Sequence, residues 1–169
     1  MRINIKYFIV TLSLIFLTAC KPRVSLSGAS IPEEAKTINV AFFTNNTTLG
    51  APSLSQRFTE KLRDVVSQQT RLSLIKQNGD LQFEGFLSDY NINPVAAQGT
   101  DDARTNRLTI SVQVKYTNKL EVVKNFEQTF TRFADFPATS SISDVEASLV
   151  TEIYRQLTED IFSRAFNNW

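Results

Sequence analysis

The clearest pattern along the chain is the alternation of apolar and polar residues over 107–116, RLTISVQVKY. A strand points successive side chains to opposite faces, so this segment predicts a strand with one buried and one wet face. The apolar row consists of Leu108, Ile110, Val112, Val114 and Tyr116. A further strand is predicted over 124–133, in the register that sets Glu127 opposite Lys115, because opposite charges then face each other across the pair.

Three earlier segments are also typical of strands. β-branched and aromatic residues predict a strand over 37–43, a short one over 72–75 and a longer one over 81–90. One face of the longer strand carries Leu81, Phe83, Gly85 and Leu87. The sequence Asn-Gly-Asp at 78–80 predicts a tight hairpin turn, and the polar stretch 94–104 predicts a loop.

Apolar residues at spacings of three and four predict two helices. The first opens at Ser53 and the second at Ser143, and Gln56 and Glu146, three residues further on, give each a capping-box pattern. The stripe of the first helix is Leu54, Phe58, Leu62, Val65 and Val66; that of the second is Val145, Leu149, Ile153, Leu157 and Ile161, continuing to Phe162, Phe166 and Trp169. Most of these side chains are predicted to be core, while the aromatic tail is equally compatible with a docking surface.

Two amphipathic helices and a sheet with one apolar face must cover each other. We therefore predict an α+β fold: a two-layer sandwich with both helices on one face of a mostly antiparallel sheet of about four to five strands. The first strand, the first helix and the second strand form a right-handed crossover if the two strands lie parallel.

The N-terminus has the pattern of an export signal. Arg2 and Lys6 precede an apolar run over 7–17, and Leu17-Thr18-Ala19-Cys20 resembles a bacterial lipobox. This predicts a signal peptide over 1–19, cleavage between Ala19 and Cys20, and acylation of Cys20. The alternative is a free, buried cysteine in an unprocessed helix.

The rest of the chain would then be a lipidated tether over 20–36 and a single α+β domain over 37–169. The tether contains Pro22 and Pro32 and few large apolar residues. No second apolar run of membrane-spanning length follows, so the domain is expected to be held at the membrane by its acyl chains.

Composition removes much of ordinary enzymology. The 169 residues include 18 basic and 17 acidic side chains, no histidine and one cysteine. We expect no catalytic set, no metal site, no cofactor and no nucleic-acid partner, because the commonest general base and metal ligand is absent and the charge is nearly balanced. The adjacent acid pairs Asp101-Asp102 and Glu159-Asp160 are read as surface charges, and Ser27, Ser67 and Ser143 have no histidine to activate them.

Four basic residues gather around one predicted hairpin: Lys115, Lys119, Lys124 and Arg132. They are weak candidates for contact with a phosphate-bearing partner. A solvated basic rim that protects a sheet edge is the favoured alternative.

Over most of the mature chain, an ordered set of short segments resembles one family. The segments are 42–45 (FFTN), 58–64 (FTEKLRD), 79–81 (GDL) with Glu84-Gly85 and Tyr90, 106–110 (NRLTI), the series Phe126, Phe130, Phe133 and Phe136, 159–162 (EDIF), and the terminal Asn168-Trp169. Their order is similar to that of the lipopolysaccharide-assembly outer-membrane lipoproteins of the LptE type, in the form found in Bacteroidota.

The resemblance implies an outer-membrane lipoprotein, on the periplasmic side, that sits within or beside a β-barrel translocon. It would plug and help assemble this barrel, which inserts lipopolysaccharide into the outer leaflet. The implied partners are the barrel, the membrane through the acyl chains, and possible direct contact with lipopolysaccharide, for which the four basic residues are the weak candidates. The alternative is a lipid-anchored scaffold or ring subunit of an outer-membrane secretion system.

Overall fold

A computed structural model describes residues 31–95 and 104–167. In chain order its elements are β1 (Thr37–Val40), β2 (Thr44–Asn45), α1 (Ser53–Gln69), β3 (Ser73–Ile75), β4 (Leu81–Val95), β5 (Thr105–Asn118), a 3₁₀ turn (Val122–Lys124), β6 (Phe126–Pro137) and α2 (Ile142–Phe166). Several predictions concern residues outside the described part of the chain: the signal peptide with Ala19 and Cys20, most of the tether, Ser27, Asp101-Asp102 and Trp169. Within the described residues, no helix combines the length and apolar character needed to cross a bilayer.

The predicted two-layer α+β sandwich is confirmed, with a correction to the sheet. The strand order is β3-β1-β4-β5-β6, and β2 pairs with β4 beyond the end of β1. The described part of the chain thus contains six strands rather than four to five. The β1–β3, β1–β4 and β2–β4 pairs are parallel, whereas β4–β5 and β5–β6 are antiparallel. The sheet is therefore mixed. The strand predicted over 37–43 ends at Val40, and the separate two-residue strand β2 follows it; both run parallel to β4.

The predicted hairpin turn at 78–80 is wrong. β3 and β4 both run parallel to β1 and lie on opposite sides of it, so the connection crosses β1 instead of folding back. Asn78 does adopt a left-handed conformation, with φ of 60°. A Cβ on Gly79 would lie 2.7 Å from the backbone nitrogen of Asn39, so only glycine allows the chain to pass this close to β1. The Asn-Gly signal thus reports a backbone conformation and not a strand pairing.

β4 is longer than predicted and runs through part of the predicted loop. It continues to Val95, and its register against β5 shifts between Leu87 and Asp89. The bulge returns Tyr90 to the buried face, where the side chain is 7% exposed. Pro94 is tolerated because β2 pairs with β4 only as far as Leu87, which leaves this part of β4 with β5 as its strand neighbour.

The predicted register between the last two strands is confirmed. Lys115 lies opposite Glu127, and every residue of the predicted apolar row of β5 is buried. Across the same pair, the Ser111 and Thr131 hydroxyls lie 2.8 Å apart. β6 begins at Phe126 and ends at Pro137, somewhat later than the predicted 124–133.

The core lies between this sheet and the two helices. The Phe58 ring packs edge-on against Phe43 and Tyr154, with centroid distances of 5.1 and 5.2 Å. The Tyr154 hydroxyl donates to the carbonyl oxygen of Leu54, 3.0 Å away, and so joins α2 to α1. As far as residue 167, the predicted helix stripes are buried except for Val145 and Leu149, which are half-buried near the start of α2.

Neither predicted capping box forms. Pro52 is the N-cap of α1, and the Gln56 side chain donates instead to Glu60. α2 begins at Ile142 without a side-chain cap, and Glu146 accepts a hydrogen bond of 2.7 Å from the Tyr90 hydroxyl. A tertiary partner has replaced the local one in the second case.

Candidate functional site

Among the described residues, no helix packs against one face of the sheet. We call it the uncovered face and define it by the side chains that point away from the helices on the three long strands. They are Glu84, Phe86, Asp89, Asn91 and Asn93 of β4; Arg107, Thr109, Ser111, Gln113 and Lys115 of β5; and Glu127, Thr129, Thr131, Phe133 and Asp135 of β6. This surface exists because the strict alternation in β5 leaves every second side chain polar.

The middle of the uncovered face is polar and hydrogen-bonded. Ser111 and Thr131 pair through their hydroxyls, and Gln113 donates to the Glu127 carboxylate at 2.7 Å. Thr109 and Thr129 continue the row of small polar side chains in the two neighbouring registers. Such a surface offers donors and acceptors to a polar partner without presenting a strong field of either sign.

One end of the uncovered face carries an ion pair and an exposed aromatic ring. The Arg107 guanidinium binds both carboxylate oxygens of Asp135, at 2.7 and 2.8 Å, and lies 3.7 Å from the centre of the Phe133 ring. These hydrogen bonds lower the pKa of Asp135 and raise the pKa of Arg107. Phe133 is 47% exposed, unlike Phe130 and Phe136, which are buried on the other face of β6.

The structure does not gather the four basic candidates into one site. Lys115 lies on the uncovered face, with its Nζ 3.9 Å from Glu84, while Arg132 points to the helix layer and binds both carboxylate oxygens of Asp160 in α2. Lys119 and Lys124 lie in the connection between β5 and β6, where Lys124 pairs with Glu121 at 2.7 Å. The four basic side chains are therefore divided between the two faces of the sheet and the connection, and they do not form a common phosphate pocket.

The acidic pair inside the described residues belongs to ion pairs at the surface of α2. Glu159 accepts from Arg155 at 2.8 Å, and Asp160 is the partner of Arg132. Arg155 also binds Glu152, and this bond, with a second from Gln156, lowers the pKa of Glu152 to about 2. Over the ranges 31–95 and 104–167 there is also no group of three or more His, Cys, Asp or Glu residues placed to hold a metal ion.

Sequence reasoning missed one surface feature, the connection between β5 and β6. We call residues 119–125 the hairpin tip. Its three apolar side chains are exposed: Leu120 by 45%, Val122 by 69% and Val123 by 92%. The signal was present in the sequence KLEVVKN, because a turn between two strands is ordinarily built from polar residues.

Comparison with known proteins gives one family and several shared folds. The family model LptE, described as lipopolysaccharide-assembly, matches residues 35–165. No curated protein sequence matches the chain closely enough to count as a relative.

Among solved structures, the chain is similar to the hypothetical protein CT253 from Chlamydia trachomatis, with 12% identity and a TM-score of 0.52. This match covers 78% of the present chain and 98% of that one. The chain is also similar to a neuraminyllactose-binding hemagglutinin homolog from Helicobacter pylori, with 9% identity and a TM-score of 0.52 over 82% of this chain and 87% of that one. At these identities the likeness shows the fold alone.

Proposed function

Because the chain belongs to the lipopolysaccharide-assembly (LptE) family, we propose that it is an outer-membrane lipoprotein that plugs a lipopolysaccharide-inserting β-barrel and helps that barrel to assemble. The observation that carries the proposal is the family match, which spans both helices and all six strands almost completely. In this proposal Cys20 carries the acyl chains, the domain lies on the periplasmic side within or beside the barrel, and the protein is not an enzyme.

The uncovered face supports a plug because its chemistry resembles that of a barrel lumen. The interior of an outer-membrane barrel is polar, so a domain placed there must present polar side chains to its wall. The uncovered face offers hydroxyls and amides in its middle and paired charges near its ends. A partner that covers the Arg107–Asp135 end therefore buries charges that are already paired.

The size of the uncovered face fits a plug better than a one-sided contact. β6 has 12 residues. At about 3.3 Å per residue and about 4.8 Å between strands, three such strands present on the order of 550 Å². A standard interface buries about 800 Å² per partner, so the barrel must also touch other sides of the domain. We expect the interface to extend around the sheet onto the helix surface.

The test is photo-crosslinking in intact cells. A crosslinker at Thr109 or Gln113, on the uncovered face, should join the chain to one β-barrel protein in a one-to-one complex. A crosslinker at Arg155, on the exposed surface of α2, should join the same barrel, because the interface is expected to extend onto the helix surface. Depletion of the lipoprotein should lower surface lipopolysaccharide and leave the barrel misassembled.

Self-crosslinks alone, with surface lipopolysaccharide unchanged on depletion, would contradict the proposal. That result would favour the ring-forming secretion subunit instead. Substitution of single residues on the uncovered face should be tolerated, because the contact energy of a large polar interface rests on few central side chains.

A further inference from the structure

We propose that the hairpin tip contacts the lipid bilayer, its apolar side chains entering the headgroup region of the leaflet that holds the acyl chains. This inference goes beyond the plug and requires only that the chain is anchored through Cys20. The proposed binding partner of the hairpin tip is a phospholipid bilayer that contains anionic headgroups.

The composition of the tip is that of an interfacial segment. Val123 is 92% exposed and Val122 69% exposed, which is unusual for β-branched apolar residues at a turn. Lys119 and Lys124 flank the apolar residues on either side, and Glu121, which pairs with Lys124, leaves the tip with a net charge of +1. Apolar side chains that enter the acyl boundary, with lysines beside them at the level of anionic headgroups, form the pattern by which peripheral segments hold to membranes.

The tip has a defined conformation, so the exposure of its apolar side chains is built in. Asn118 is fully buried, and its side-chain oxygen accepts from the backbone N–H groups of Leu120 and Glu121, at 2.9 and 2.8 Å. The Asn118 backbone N–H donates in turn to the side chain of Asn125 at 2.6 Å. These bonds, with the 3₁₀ turn, hold Val122 and Val123 outward. The tip is therefore ordered before it binds, so its binding does not carry the entropic cost of ordering a loop.

The position of the tip places it beside the point where the tether enters the domain. The Asp80 carboxylate accepts from the backbone N–H groups of Lys36 and Thr37, each at 3.0 Å, and the Asp80 carbonyl accepts from the backbone N–H of Lys119 at 3.0 Å. One residue thus joins the end of the tether to the start of the tip. We call this end of the sheet the entry end.

The anchor determines which end of the domain faces the bilayer. Residues 32–35 form a turn and Ile31 packs against the core, which leaves the ten residues 21–30 to reach Cys20. Ten residues span at most about 35 Å, so the domain remains close to the leaflet that holds its acyl chains. Leu49 is also apolar and 72% exposed. It lies just before α1, however, and the chain has by then run the length of β1 and β2 away from the entry end. The tether therefore favours contact of the bilayer with the tip and not with Leu49.

The experiment places an environment-sensitive fluorophore on the tip of the acylated, full-length mature protein. Acylation consumes the thiol of Cys20, the chain's one cysteine, so Val123→Cys supplies the reactive thiol. The labelled protein is reconstituted alone into vesicles of phosphatidylethanolamine and phosphatidylglycerol, some with doxyl-labelled lipid. Leu49→Cys, labelled in the same way, is the matched control, because both positions are exposed and apolar.

The expected result is a blue-shifted emission at position 123 and strong quenching by doxyl lipid, with emission at position 49 as in water. Adding Leu120→Ser and Val122→Ser to the labelled protein should move the emission at 123 back toward the aqueous value. Denaturant melts of these variants should match the parent, since all three side chains are exposed.

Equal aqueous emission at 123 and 49 would overturn the inference. So would shielding of position 123 that appears only when a barrel partner is added, since the tip would then dock on protein; that outcome leaves the plug proposal standing. Lipid shielding of 123 in a chain that forms no barrel complex supports the inference and counts against the plug. A chain shown by mass spectrometry to carry no acyl group removes the premise and overturns the inference.

Discussion

Truncation of Leu157 to alanine tests the assignment of the buried face of α2. Leu157 is 0% exposed, within the layer that packs on β5 and β6. The change removes three carbon atoms, worth about 2.5 kcal/mol at about 0.8 kcal/mol per methylene. A cavity left by incomplete relaxation adds to this, so the free energy of unfolding should fall by about 2–5 kcal/mol.

Thermal and denaturant melts measure the effect. For a domain of this size each kcal/mol corresponds to roughly 2–4 °C, so the Tm should fall by about 4–20 °C. Leu49→Ala is the matched control, since the same atoms are removed from a side chain that is 72% exposed. It should cost less than about 0.5 kcal/mol. Gln156→Ala, which loses one hydrogen bond to Glu152 at the surface, should also cost little. Equal losses in Leu157→Ala and Leu49→Ala would refute the proposed packing of α2.

Three further changes probe other parts of the chain. Gly85→Ala should destabilise the sheet by about 1–3 kcal/mol or more in denaturant melts, since its Cβ would lie 2.0 Å from the Gln113 carbonyl oxygen; an unchanged midpoint would contradict this packing. Hydrogen bonds from the backbone N–H of Lys36 and then from the Thr37 hydroxyl and N–H lower the pKa of Asp80 below its usual 3.8. The excess in free energy of unfolding of the parent over Asp80→Asn should therefore be full above about pH 5 and shrink as pH falls below 4. A difference that stays constant with pH would contradict this role of Asp80. Cys20→Ala should abolish incorporation of radiolabelled palmitate, and label retained by the variant would exclude acylation at this residue.

Periodicity correctly predicted the elements whose buried face follows from the alternation or spacing of their own side chains. The alternation from Leu108 to Tyr116 and the charge match of Lys115 with Glu127 gave the orientation and register of β5 and β6, both confirmed. The stripe of α1, from Leu54 to Val66, is buried throughout. These features are local, or depend on one adjacent strand, so the sequence contains most of what determines them.

The features that sequence reasoning missed depend on distant parts of the chain. The sequence Asn78-Gly79 suits both a hairpin turn and a connection that crosses β1. Which of the two forms depends on the pairing of β1 with both β3 and β4. Glu146 suited a capping box, but the hydroxyl of Tyr90, 56 residues away, binds it instead. Lys115 and Arg132 lie on neighbouring strands of one hairpin, yet they project from opposite faces of the sheet.

The arrangement of β1 has a mechanical consequence if the domain is held through its N-terminus, as the proposed acylation of Cys20 requires. A load transmitted through residue 36 pulls along the axis of β1, which is bonded to β3 on one side and to β4 on the other. Such a load shears two ladders of hydrogen bonds together and does not peel them one at a time. The Asp80 carboxylate holds the start of β1 by accepting hydrogen bonds from Lys36 and Thr37. A membrane anchor at Cys20 would therefore load a strand that is held on both sides.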